Sequence, residues 1–348
     1  MIVLAKPGFK VTYSSAHSSC VSLYRELIKL GVTVLEWTPI RMLFGRYDVL
    51  HVHWPDNVLS DRNAIVVIMK LIALFASMLF VRALGRRIVW TSHNLKSHEQ
   101  LHPHLEVWYW SVFPRLLDAI CSPMHWIEDQ VRADTRFRMV ERVEATPFGS
   151  WNGCYPEDEE FTRKLRNRLP ATAGGHTVLW FGYIRRYKGI EALIDTFRDS
   201  ILADCTLLLA GKCIEPQYRH ELLERIGGLP NVVPDLDFIP DEHVASYFRV
   251  ASLCILPFAR VTNSGSARLA LSFNRHILVP NHSFALEFRK AFGPEWVSVY
   301  DATGGLTVSA IRSAFNAAQE GTENVMDWKE YDWGTTARKT LRLFESLV

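Results

Sequence analysis

Residues 180–190 read WFGYIRRYKGI, and three events are packed into them. An apolar strand ends at residues 181–182, a short loop carries Arg185, Arg186 and Lys188, and a helix opens at Gly189. A glycine lets backbone come close to a ligand, and ligands of parallel α/β sheets bind beyond the strand C-termini. Cations gathered at such an edge suit a diphosphate, whose oxygens an arginine meets two at a time. Gly182, Arg185 and Lys188 are therefore candidate anion ligands; the alternative for the same residues is a solvated basic turn.

Outward from that stretch the chain repeats one pattern. Apolar runs at 2–5, 33–37, 49–54, 87–92, 119–122, 177–181, 206–210, 232–233, 253–257 and 276–280 read as strands. Helical segments at 20–30, 126–132, 189–198, 216–226, 241–251 and 265–273 lie between them. Continuous Val/Ile/Leu strands alternating with helices imply parallel sheets covered on both faces, an α/β fold. At 348 residues the chain exceeds the usual single core, so two doubly wound, Rossmann-like domains facing a central cleft are expected. The Pro, Gly and Ser of TPFGSWNGCYP mark the boundary, giving domains 1–150 and 151–332. A last helix within 333–348 is expected to pack back on the first domain.

A second segment has the same build as the first. Residues 255–274, ILPFARVTNSGSARLALSFN, run from strand through loop to apolar helix. Thr262, Asn263, Ser264, Gly265 and Ser266 put hydroxyls and backbone N–H groups at that helix's start, where unpaired amides and the helix dipole bind anions. Plain capping by Ser264 or Asn263 is the simpler role and is compatible with the other.

The first half supplies LHVHWPDN at 50–57 and VWTSHNLKSHE at 89–99, each a strand running into polar residues. Asp56, His98 and Glu99 are candidate general bases there. Asp56 is preferred because Pro55 fixes the turn at a strand end; a turn or capping role is its alternative. His51 and His53 alternate on one strand face without a third ligand of matching spacing, so no metal site is expected. Asp235 and Asp237 imitate a metal-binding Asp-x-Asp in a Pro-flanked loop. No GxGxxG follows the first strand and no Walker loop occurs, which disfavours NAD and ATP.

Hydrophobic residues at 48% and charged residues at 22% fit a globular enzyme rather than a disordered chain. A net charge of +2 argues against a nucleic-acid partner, yet residues 1–100 hold twelve Lys/Arg against six Asp/Glu. That surplus suits an anionic lipid or substrate, or a merely solvated surface. Six cysteines form no CxxC pair and, with no signal peptide evident, point to a reducing cytoplasm. Residues 64–84 are mostly apolar but interrupted by Lys70, which would cost about 2.5–3.5 kcal/mol at mid-membrane. A helix lying in the membrane interface, with Lys70 reaching to water, is expected over a span; an ordinary packing helix is the alternative.

The run FGYIRRYKG, then LLLAG at 207–211, FIPDEHVASYF at 238–248 and ILPFARVTNSGS resembles the donor-binding half of GT-B glycosyltransferases, over residues 177–280 in the family's order. The resemblance implies that Arg185 and Lys188 hold a nucleotide-sugar diphosphate, with residues 262–266 completing its cradle. It also implies a nucleobase near Phe238 and Ile239, His93 near the donor sugar, acceptor binding by the first domain, and no cofactor or bound metal. Two departures stand out. Retaining members carry Arg after the glycine, where this chain has Tyr183, and two Glu near the second loop, where residues 258–273 contain no acidic residue. Inversion is the expectation that follows.

More narrowly, KPGF, HVHWPDN, WTSHN and TNSGS resemble the β-mannosyltransferases of xanthan-type exopolysaccharide assembly. That implies GDP-mannose as donor and a polyprenyl-diphosphate-linked oligosaccharide ending in glucuronic acid as acceptor, at the cytoplasmic face of the inner membrane. The alternatives are another donor such as UDP-glucose, a sugar-nucleotide epimerase of the same fold, or a non-catalytic sugar-binding subunit.

Overall fold

The protein is described from a computed structural model covering residues 1–7, 18–96, 101–170, 175–258, 263–320, 326–328 and 331–348. His98, Glu99 and Thr262 lie outside the described residues. Two compact units emerge: Met1–Gly149 together with Lys329–Val348, and Ser150–Trp328.

In the first unit the elements run β1 Ile2–Lys6, α1 Ser18–Lys29, β2 Thr33–Glu36, α2 Pro39–Phe44, β3 Val49–His53 and α3 Ala64–Ala83. They continue through β4 Arg87–Thr91, α4 Pro103–Val112, β5 Ala119–Ser122, α5 His125–Ala133 and β6 Arg142–Ala145. The second unit holds α6 Glu159–Arg168, β7 His176–Phe181, α7 Ile190–Thr196, β8 Cys205–Ala210, α8 Pro216–Ile226, β9 Val232–Asp235 and α9 Asp241–Val250. It closes with β10 Leu253–Ile255, α10 Gly265–Ser272, β11 Ile277–Pro280, α11 Ser283–Phe292, β12 Val297–Tyr300 and α12 Val308–Glu320. A final helix, α13 Trp333–Glu345, belongs to the first unit.

Each unit is built on a six-stranded parallel sheet. The first has the order β2-β1-β3-β4-β5-β6, so the direction of winding reverses between β1 and β3. The second has the order β12-β11-β10-β7-β8-β9 and reverses between β7 and β10. Such reversals open a crevice at the carboxyl ends of the two strands concerned. Central strands are buried on both faces, as in the uniformly buried CTLLLA of β8 and VLHVH of β3. This is why they read as continuous apolar runs.

Two strands fall outside the expected set. β6 (RVEA) and β12 (VSVY) form sheet edges, where one-sided burial replaces the long apolar run with a short alternating one. Other boundaries move by a residue or two. The helix expected from Gly189 begins at Ile190, because Gly189 is the left-handed residue before it, at φ 69°, and a side chain there would strike the carbonyl of Pro257.

α13 closes the first unit's core. Asp332 caps it by accepting from the Thr335 amide at 3.0 Å, and Ala337, Leu343 and Phe344 pack among Val3, Ala5, Leu23, Tyr24 and Leu27. Phe344→Ala should therefore lower unfolding free energy by about 3–5 kcal/mol in denaturant titration, the usual cost of a buried Phe. A loss below about 1 kcal/mol would mean that α13 is not part of that core.

Candidate active site

At the second unit's reversal, β7 ends in Gly182, which adopts φ +140°. A Cβ placed there would lie 2.8 Å from Ser266 Oγ and 3.5 Å from Lys188 Nζ. Glycine is thus what allows an ammonium from the loop after β7 and a hydroxyl from the start of α10 to converge on one strand end. A side chain at Gly211, after β8, would likewise meet the Gly182 carbonyl, so two strand ends approach at glycines.

Lys188 is part-buried over the rings of Trp180 (5.5 Å) and Phe258 (5.4 Å). Desolvation, reinforced by the Arg185 guanidinium, pushes its pKa down to about 8. Among the described residues no carboxylate lies within ion-pair distance of it. A partly desolvated ammonium beside a second cation is an arrangement that suits an anionic ligand. Arg186 takes no part: it pairs with Glu221 at 2.7 Å and Glu215 at 3.5 Å and lies over Tyr218.

The first turn of α10 faces the same reversal. Ser264 caps it, accepting from the Ala267 amide at 3.0 Å. Gly265 and Ser266 follow in the first turn, where amides lack intrahelical partners. Asn263 does not cap; its Oδ1 is buried and, among the described residues, without a hydrogen-bond partner. Phe238 and Ile239 lie between β9 and α9, two strands along the sheet from β7, or about 10 Å. Phe238 is half-exposed and Ile239 buried, so an apolar ring is offered beside an apolar floor.

The Asp-x-Asp imitation is occupied by basic neighbours. Asp235 accepts from Arg168 at 2.7 Å and from Tyr247, and Asp237 pairs with Arg219 at 2.9 Å. A cavity of about 1200 Å³ opens at the far end of α10, lined by Arg163, Arg166, Arg249 and Arg275 among others. It contains none of the candidate site residues named from the sequence.

In the first unit, Asp56 follows β3 at the reversal point, within a 3₁₀ turn Pro55–Leu59. It is 7% exposed, and burial, together with the Glu106 carboxylate, pushes its pKa up to about 6. The Tyr109 hydroxyl is also buried, without a hydrogen-bond partner among the described residues, and Asp56 raises its pKa beyond what burial does. Glu106 and Tyr109, both on α4, carried no signal in the sequence. His93, just after β4, is buried, stacks on Trp54 at 4.0 Å and lies 2.9 Å from His53. His51 and His53, set aside as a metal pair, are instead hydrogen-bonded to Tyr24, both at 2.9 Å.

A carboxyl that binds its proton more tightly folded than unfolded opposes folding once ionised. For Asp56 the penalty is absent below about pH 3.8, grows as pH rises, and is complete above about 6, where it amounts to roughly 3 kcal/mol. Asp56→Asn should thus stabilise the protein at pH 8 and lose that advantage near pH 4 in parallel urea titrations. A difference independent of pH would show an ordinary carboxyl.

No protein-family model matches the chain. It is 25% identical over 292 residues to a GDP-mannose:glycolipid 4-beta-D-mannosyltransferase of Xanthomonas campestris pv. campestris, spanning 84% of this chain and 77% of the relative. Among solved structures, a sucrose-phosphate synthase from Thermosynechococcus elongatus superposes with a TM-score of 0.68 at 15% identity, covering 99% of this chain and 98% of that one. HepE of Anabaena, solved with UDP and glucose, gives 0.65 at 14% identity and covers 99% of both. Two parallel six-stranded sheets and these superpositions give the chain the GT-B fold, and the relatives and structures it resembles are glycosyltransferases.

Proposed function

We propose that this protein transfers mannose from GDP-mannose, with inversion, to a polyprenyl-diphosphate-linked oligosaccharide ending in glucuronic acid, during exopolysaccharide assembly at the cytoplasmic face of the inner membrane. The observation that carries the donor half is Lys188, part-buried beside Gly182 and Ser266 with no carboxylate answering it among the described residues. In the transfer, the acceptor hydroxyl gives its proton to Asp56 as its oxygen bonds to the anomeric carbon. The bond from that carbon to the diphosphate breaks, and GDP leaves with the electron pair. Lys188, Arg185 and the start of α10 neutralise the charge that develops on it. Phe238 and Ile239 receive the base, and His93 approaches the sugar. The charge compensation comes from protein groups, and no bound metal or cofactor enters the scheme.

A base with a pKa near 6 is ionised at neutral pH yet still basic enough to accept a hydroxyl proton as attack proceeds. Inversion is supported by the lack of any acidic residue in 258–273. Mannose and the lipid-linked acceptor are supported by the name of the Xanthomonas relative.

Membrane docking is supported by α3. One face packs inward through Val67, Leu71, Leu74, Phe75, Met78 and Val81. The other bears exposed Ile65 (69%), Met69 (65%) and Ile72, continued on α2 by Ile40 and Phe44 (77%). Lys70 pairs with Asp61 at 3.0 Å. A helix held on the protein by one apolar face and bare on the other suits lying in the interface, not crossing it.

Saturating GDP-mannose, at about 100 times its dissociation constant, should stabilise the protein by about 2.7 kcal/mol. Lys188→Ala should weaken donor binding by roughly 1.5–3 kcal/mol, and Asp56→Asn should lower kcat about 10²–10⁴-fold while donor binding persists. Donor affinity unchanged in Lys188→Ala would remove the cradle, and an α-linked product by NMR would remove inversion. Ile68→Asp with Ile72→Asp should abolish cosedimentation with anionic vesicles; retained binding would rule out α3 as the docking surface.

A further inference from the structure

The cavity of about 1200 Å³ lies wholly within the second unit, walled by residues 152–157, α6, the last turn of α9 and the end of α10. The eight residues of α10 put it about 12 Å from that helix's start, where the candidate donor residues gather. It serves no step of the proposed transfer. Local structure sets its basic wall. Asn274 ends α10 in the left-handed conformation, φ 52°. Its amide donates to the Leu271 carbonyl at 2.9 Å, and the Arg275 amide donates to Ala270 at 3.0 Å. That pair of bonds is a helix-ending motif, and it fixes the backbone of Arg275 in the cavity wall. Arg163 and Arg166 stand three apart on α6 and share a helix face, while Arg249 belongs to α9.

Two of the three glutamates in the same wall are already committed. Glu157 pairs with Arg249, and Glu160 pairs with Lys164 at 2.6 Å. Among the described residues no carboxylate lies within ion-pair distance of Arg163, Arg166 or Arg275, and Glu159 is the glutamate left among them. Arg275 Nε is buried and, among the described residues, has no hydrogen-bond partner. Desolvation, reinforced by the Arg249 guanidinium, holds the Arg275 pKa below its ordinary value. Helix C-termini attract cations, which accounts for arginines in the last turns of α6 and α9. It does not account for a buried guanidinium N–H without an acceptor, a costly arrangement that an oxyanion would relieve. Each helix end carries only about half a negative charge, which one guanidinium more than offsets.

We propose that this cavity binds an anionic saccharide, with Arg166 and Arg275 holding its carboxylate or phosphate and Glu159, Asn152 and Asn274 meeting its hydroxyls. A bare phosphate would fill little of a volume that exceeds the roughly 300–1,000 Å³ of common small-molecule pockets. Glu159 repels a ligand that is charged throughout, yet it accepts from a sugar hydroxyl, and a carboxamide can both donate and accept. The lining therefore suits one charged group on a hydroxylated body. The site is separate from the donor cradle and stands without the proposed transfer.

The test is calorimetric titration of the full-length protein with tetragalacturonate, glucose 6-phosphate and uncharged maltotetraose. At least one charged probe should bind saturably at millimolar concentration, and maltotetraose should not. A response to the uronate alone assigns a carboxylate ligand, and a response to the sugar phosphate alone assigns a phosphate. Arg166→Gln and Arg275→Gln should each weaken that binding at least about tenfold, the loss of one charged hydrogen bond, while Lys188→Ala leaves it unchanged. Arg166 is exposed, so its replacement tests the site even if Arg275→Gln fails to fold. No binding of either charged probe, equal binding of maltotetraose, or binding that survives Arg166→Gln overturns the proposal. Binding lost in Lys188→Ala instead places the ligand in the donor cradle and also overturns it. If the charged probe behaves as expected but GDP-mannose does not bind, the proposed transfer fails and the second site stands.

Discussion

A partly desolvated ammonium flanked by a guanidinium, with no carboxylate within ion-pair distance among the described residues, carries a free-energy cost that an anion would relieve. Lys188 is in that position, and the surrounding second unit makes sense as the frame that holds it there. The 3-2-1-4-5-6 type of strand order opens a crevice between β7 and β10. Gly182 keeps that crevice clear for backbone approach, and Ser264 caps α10 so that its first turn points charge-favourable amides at the same place. Arg186 is held by Glu215 and Glu221.

The first unit solves a different problem, the burial of polar groups. Asp56 is held toward its neutral form by burial and by Glu106, which makes it a stronger base once deprotonated at neutral pH. Its cost to stability is the ordinary price of a poised group. His51 is kept neutral by burial and by His93, and the three rings are linked through Tyr24, Thr91 and one another. Phe344 of α13 meets His51 edge-on at 5.2 Å, so the returning C-terminal helix seals this polar chain from water.

The parallel strands and the build of the loop after β7 were legible because each is written locally. An apolar run ending in glycine, then cations, then a helix start is readable in one stretch of ten residues or so. Edge strands β6 and β12 were not, since one exposed face erases the continuous apolar signal. Tyr24, Glu106 and Tyr109 were invisible for another reason. Each sits on a helix and acquires its role only when the sheet brings distant residues against it, across 27 positions in the case of Tyr24 and His51. His51 and His53 were seen as a pair on one strand face, but the hydroxyl that joins them comes from Tyr24 on a helix. Glu99, His98 and Thr262 fall outside the described residues.

The most direct measurement is a crystal structure with GDP-mannose or GDP bound. Diphosphate oxygens should lie about 2.7–3.2 Å from Lys188 Nζ and Ser266 Oγ, beside Gly182. A diphosphate bound instead in the cavity lined by Arg163, Arg166, Arg249 and Arg275, with Lys188 untouched, would contradict the account.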